Sequence, residues 1–142
     1  MTAVSQEANS LTKEIRAEIE VFGFIPFTRF MELALYHPEW GYYERETSRI
    51  GCKGDFITSV SVGEAFGQLL ASRFSKWLGD IDGPVRLVEA GAHDGTLAHD
   101  ILAWLAEYSQ SIFSRLKYTI IEPSKKRRDW QISRLAAFNS QV

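Results

Sequence analysis

Apolar residues recur at helical spacing from the start of the chain. Leu11, Ile15, Ile19 and Phe22 lie three or four positions apart, with Ser10 or Thr12 available as a cap and Gly23 as a stop, so a helix is predicted from about Ser10. Residues 1–9 are small and polar without that period and are expected to form a flexible tail. Pro26 suits the first turn of a second helix carrying Phe27, Phe30, Met31, Leu33, Ala34 and Leu35, and Pro38 ends it. Between Pro38 and Ser61 the period lapses. Gly41, Gly51 and Gly54 punctuate short pieces such as Tyr42-Tyr43 and Phe56-Ile57-Thr58, a pattern of loops with room for a short hairpin. From Val62 the helical spacing returns in Phe66, Leu69, Leu70, Phe74, Trp77 and Leu78, and stops at Gly79.

After Pro84 the pattern changes. Val85-Arg86-Leu87-Val88-Glu89-Ala90 is short, largely apolar and bounded by turn residues, as a buried parallel strand would be. A helix is expected over residues 96–107. Tyr118-Thr119-Ile120-Ile121 then repeats the strand pattern, and Ser124 can cap a helix running through Trp130 and Leu135. This order predicts two adjacent parallel strands with a right-handed crossover, Gly91 and Glu122 standing at the same sheet end. The division expected is a tail at 1–9, a helical and loop region at 10–83, and the first part of an α/β core at 84–142.

Composition narrows the function classes. With 45% apolar and 13% aromatic residues in a chain of 142, there is material for one globular core. The formal charge of -2 is spread along the chain, and Lys125-Lys126-Arg127-Arg128 reads as a solvated helix face, so no nucleic-acid partner is expected. Cys52 stands alone, without partners for a disulfide or a thiolate metal site, and between glycines it reads as a small loop residue. His93 and His99 do not share a helical face at the spacing of a metal pair, so no metal is expected. No apolar run approaches the roughly 20 residues that cross a bilayer. Glu7, Glu14, Glu18 and Glu20 are unlike an acid-poor presequence, and a cytoplasmic location is expected.

Candidate chemistry gathers at the strand ends. Val88-Glu89-Ala90-Gly91-Ala92-His93-Asp94-Gly95-Thr96-Leu97 places an acid at the end of a strand and a glycine-containing turn before a helix. Gly91 and Gly95 allow a sharp turn and close approach of a ligand, and the helix start adds unpaired N–H groups. Glu122 ends the next strand, where a carboxylate can accept bonds from ribose hydroxyls. His93 interrupts the three-glycine dinucleotide fingerprint, which weakens an oxidoreductase reading. Local pattern alone leaves a ligand-binding turn and an ordinary tight turn both open.

Four segments in order carry a resemblance: Phe30-Met31-Glu32-Leu33-Ala34-Leu35-Tyr36-His37-Pro38-Glu39-Trp40-Gly41-Tyr42-Tyr43; Gly51-Cys52-Lys53-Gly54-Asp55-Phe56-Ile57-Thr58-Ser59 with Phe66-Gly67-Gln68-Leu69-Leu70; Val88-Glu89-Ala90-Gly91 with Gly95-Thr96-Leu97; and Ile121-Glu122-Pro123-Ser124. Together they resemble the MidA-like methyltransferases, relatives of a mitochondrial complex I assembly factor. The resemblance implies an incomplete Rossmann-like class I methyltransferase fold with an N-terminal helical addition. It also implies S-adenosylmethionine as cofactor and a protein substrate, with arginine the acceptor in the mitochondrial branch. By the same resemblance Glu89, Gly91 and Gly95 would line the methionine side of the cofactor, Glu122 would hold the ribose, and Gly54, Asp55, Phe56 and Thr58 would close over the pocket. Val60-Ser61 stands where the family usually has Pro-Glu, and Ala92-His93-Asp94 where a Pro-Gly-Arg type sequence is common. No catalytic residue is assigned, because the acceptor-facing segment of the family has no counterpart here. The isolated chain is therefore expected to be inactive and to self-associate or meet a missing C-terminal half. The competing reading is a non-catalytic remnant or split-protein half that acts only by binding a partner.

Overall fold

The computed structural model describes residues 3–44 and 57–142, with side chains from Ser10 onward. The chain divides into two compact units, Met1–Asp55 and Phe56–Val142.

The first unit holds helices α1 (Ala3–Phe22) and α2 (Phe27–Tyr36), then a 3-10 turn at Tyr42–Glu44. Helix α1 begins well before the expected Ser10, because Ala3, Gln6, Glu7 and Ala8 favour helix by intrinsic propensity without needing an apolar period. Polar side chains tie the two helices together. Arg29 on α2 reaches Glu18 on α1 (Nη2 to Oε1, 2.8 Å) and Glu32 (Nη1 to Oε2, 2.9 Å). His37, at the end of α2, accepts the N–H groups of Glu39 and Trp40 at Nδ1, both at 3.2 Å. Its proton therefore sits on Nε2, which lies 3.1 Å from Glu14 Oε2, and its ring stacks on Trp40 at 4.4 Å. Leu33 is the buried large hydrophobe of this unit among the described residues.

The second unit begins with a 3-10 turn at Ser59–Val62, followed by α3 (Ala65–Gly79), β1 (Val85–Ala90) and α4 (Thr96–Tyr108). Then come a short helix α5 (Gln110–Phe113), β2 (Leu116–Ile121), α6 (Lys125–Arg134) and a 3-10 turn at Ala136–Phe138. The helix expected from Val62 starts at Ala65, because Gly63 at φ 149 breaks the chain direction between the 3-10 turn and α3.

Strands β1 and β2 are parallel, paired from Val85↔Leu116 to Ala90↔Ile121, as the sequence predicts. Their alternation places Val85, Leu116 and Tyr118 in a core with Ala71 and Leu78 of α3, Ile101, Leu102 and Leu105 of α4, and Leu135. Fully burying such an aliphatic side chain contributes about 1.5–3 kcal/mol. Among the described residues the strands are not covered on both faces, as a run so apolar would suggest: Val88 is 58% and Ile121 59% exposed. Arg115 closes the base of the sheet by donating from Nη2 to Leu78 O (2.6 Å) and from Nη1 to Ile81 O (2.6 Å). The outer edge of β2 is partly engaged, since Tyr118 N donates to Gln141 O at 2.6 Å. No described helix is long and apolar enough to cross a membrane.

Candidate functional site

Parallel register brings the turns after β1 and β2 side by side. Gly91 N donates to Ile121 O at 3.0 Å, one step beyond the last strand pair, so Gly91 and Glu122 share one sheet end. Ligands of open α/β sheets bind outside the carboxyl ends of the strands, which is where these residues stand.

The turn after β1 is shaped by left-handed backbone. Gly91 has φ +71, and among the described residues no atom lies within 4 Å of where its Cβ would be, which leaves space for a ligand to approach the main chain. His93 adopts φ 51, a conformation that non-glycine residues take at a cost. Gly95 also has φ +83, but its missing Cβ faces α6, 3.5 Å from Gln131 Cα, so its smallness admits a helix. Asp94 organises the turn: Oδ1 accepts from Thr96 N (3.1 Å) and Thr96 Oγ1 (2.7 Å), and Oδ2 accepts from Arg134 Nη2 (2.8 Å). Burial would raise the Asp94 pKa, but the His93 imidazole 3.6 Å away, the hydrogen bonds from Thr96 and the Arg134 charge outweigh it and hold the carboxyl well below its usual range.

Glu89, on the covered face of β1, accepts the Tyr118 hydroxyl proton at 2.9 Å. Burial raises the Glu89 pKa, and the Tyr118 bond opposes that rise. Tyr118 is itself pushed above its ordinary value, first by burial and then by the Glu89 charge and bond.

The turn after β2 differs. Glu122 is buried, and its Oε1 accepts from Ser124 N at 3.0 Å. Its Oε2 is buried and has no hydrogen-bond partner among the described residues. A buried carboxylate oxygen left unmet is costly, and at a strand end it marks a place where a hydroxyl donor would be welcome. Arg128 Nη1 holds the backbone here, donating to Glu122 O (2.8 Å) and Pro123 O (2.7 Å), so part of the basic run serves the fold.

Of the other site residues read from the sequence, Gly54, Asp55 and Phe56 lie outside the described residues, as does Cys52. Thr58 is described, and it caps the 3-10 turn. Its Oγ1 accepts from Ser61 N (3.3 Å), while Ser61 Oγ accepts from Thr58 N (3.1 Å). The Val60-Ser61 departure from the family pattern thus supplies a capping box. Sequence reasoning missed Gln131 and Arg134. The Ser124 cap signals their helix, but which face meets the β1 turn is a tertiary fact.

Comparison with known proteins bears on this geometry. The sequence model of the S-adenosyl-L-methionine-dependent methyltransferase family matches residues 68–142. A protein arginine methyltransferase NDUFAF7 homolog, mitochondrial, from Drosophila melanogaster is 39% identical over 71% of this chain and 23% of its own length. The mitochondrial NDUFAF7 protein arginine methyltransferase of Mus musculus is 31% identical over 94% of this chain and 31% of its own. The chain thus spans less than a third of the length of these relatives. A crystal structure of a Burkholderia thailandensis protein bound to S-adenosyl-homocysteine superposes with a TM-score of 0.77 at 30% identity. It covers 99% of this chain and 37% of that one. This likeness supports the Rossmann-like α/β class expected, of which two parallel strands are present among the described residues. The cytoplasmic expectation is overturned, because these curated relatives are mitochondrial proteins. The acids that motivated it, Glu7 to Glu20, belong to helix α1, and the composition of a folded helix says nothing of compartment.

Proposed function

This chain belongs to the S-adenosyl-L-methionine-dependent methyltransferase family, and on that premise we propose that its second unit binds S-adenosylmethionine between Gly91 and Glu122. The observation that carries this reading is the unmet, buried Glu122 Oε2 beside the open backbone of Gly91 at one sheet end. Glu122 would accept a ribose hydroxyl, and the left-handed Gly91 would let the methionine portion lie against the main chain. Glu89 stands at the same end of β1, with one oxygen already committed to Tyr118. When bound, the cofactor supplies an electrophilic methyl group on a sulfonium sulfur. The contribution of these residues is to bind and orient it.

Transfer of that methyl group is proposed for the whole protein, with a protein arginine as acceptor, because the curated relatives carry that activity in their names. Gly54, Asp55, Phe56 and Thr58 remain proposed as a cover for the pocket. The exposed Val88 and Ile121 on the two strands support association with a second copy or with further polypeptide. Calorimetric titration with S-adenosyl-homocysteine tests the binding claim. Saturable heat at one site per chain is expected, and none at millimolar ligand would overturn it. A radiolabelled methyl-transfer assay on the whole protein tests the acceptor separately.

A further inference from the structure

Helix α6 touches both turns of the proposed site. Its start follows Glu122 directly: Ser124 Oγ accepts from Arg127 N at 3.2 Å, and Arg128 grips the Glu122 and Pro123 carbonyls. Further along, Gln131 and Arg134 stand three residues apart, on one helix face. Gln131 is buried and donates from Nε2 to His93 O at 2.9 Å. Arg134 holds Asp94 at two points, from Nε to the backbone carbonyl (3.1 Å) and from Nη2 to Oδ2 (2.8 Å). The carbonyls so held belong to His93, at φ 51, and to Asp94, immediately before Gly95 at φ +83. Three of the five residues from Gly91 to Gly95 have positive φ, His93 among them, and such a conformation in a non-glycine residue persists only when its surroundings over-determine it.

We propose that Gln131 and Arg134 are positioning residues for the cofactor turn. Through α6 they fix that turn relative to Glu122, so that both halves of the site meet the cofactor as one preformed surface. The inference rests on the S-adenosylmethionine reading above. An exposed ion pair alone would contribute little. Here the pair is joined by a partly buried hydrogen bond from the Gln131 amide to the neighbouring carbonyl, and Gly95 allows the helix to come into contact.

The test uses the whole chain with Gln131→Met, which keeps the volume and loses the donor, Arg134→Ala, and Arg134→Lys, which keeps the charge and loses the fork. Ser133→Ala serves as control, since Ser133 is exposed and its hydroxyl donates to Asp129 O within α6. Two readouts are taken: amide hydrogen exchange across residues 91–96, and calorimetric affinity for S-adenosyl-homocysteine. Gln131→Met and Arg134→Ala should speed exchange in the turn and leave β1 protected, and should weaken binding about tenfold. Arg134→Lys should recover part of both losses, and the control should change neither. Should any variant not fold, Arg134→Lys, the mildest, still decides by the same two readouts. Unchanged exchange in the turn would show that α6 does not brace it. Faster exchange with unchanged affinity would overturn the positioning role. An unsubstituted chain that binds no S-adenosyl-homocysteine would overturn the cofactor reading, and the positioning role with it, before any variant is compared.

Discussion

The turn after β1 and the turn after β2 stand side by side but use their polar groups in opposite ways. In the first, Asp94 has both carboxylate oxygens engaged and the His93 carbonyl is held by Gln131, so its polar groups serve the shape of the main chain. In the second, Glu122 spends one oxygen on Ser124 N and keeps the other buried and unmet. The difference separates two jobs that any small-molecule site needs: one turn offers an open surface, the other an unsatisfied acceptor that fixes orientation.

Replacing the open surface should have the largest effect. Gly91→Val puts a β-branched side chain at φ +71, in the space a ligand would occupy. A loss of S-adenosyl-homocysteine affinity of about 100-fold or more and a destabilisation of about 1–3 kcal/mol are expected, read by calorimetry and urea unfolding. Glu122→Ala should separate the two quantities. Binding should fall by roughly tenfold to 100-fold through loss of the acceptor oxygen, while stability changes by less than about 1 kcal/mol, because an unmet buried oxygen is removed together with one local bond. If Glu122→Ala destabilised the fold as much as Gly91→Val, the division of labour between the turns would be lost.

Asp94→Asn probes the saturated turn. Its folded pKa is depressed, so its stabilising effect is present above the unfolded value of about 4 and is lost as pH falls through the folded value. The variant should lose about 1 kcal/mol at neutral pH. Its deficit relative to the parent should shrink below about pH 4, which thermal melts across pH would show. A stability loss of similar size, about 1 kcal/mol, and no direct loss at the ligand are expected from Tyr118→Phe, which removes one hydroxyl hydrogen bond. Because that bond lowers the Glu89 pKa, its loss should raise the value further, as a carboxyl NMR titration would record.

Much of this arrangement is legible in the sequence because it rests on local chemistry. Val85–Ala90 is bounded by Pro84 and Gly91, and an acid ending each apolar run marks the strand ends that the parallel register then aligns. What is not legible depends on which faces meet. Gly95 reads as a ligand-lining glycine, but nothing in the sequence shows that its Cβ position meets Gln131 of α6. Arg134 reads as one charge in a polar helix, yet it holds Asp94 forty residues away. The Tyr118 hydroxyl reaches Glu89 because register places their strands together, and no spacing within either strand encodes that bond. The early start of α1 shows the same limit from the other side: propensity extends a helix that apolar periodicity would begin later.

The central claim, that one ligand is held between the two turns, is tested most directly by titrating the isotopically labelled chain with S-adenosyl-homocysteine and following amide NMR shifts. The largest changes should fall together on residues 91–95 and on Glu122 and Ser124, with a common saturation curve. Shifts confined to residues 3–44, or changes at one turn while the other stays silent to saturation, would contradict the account.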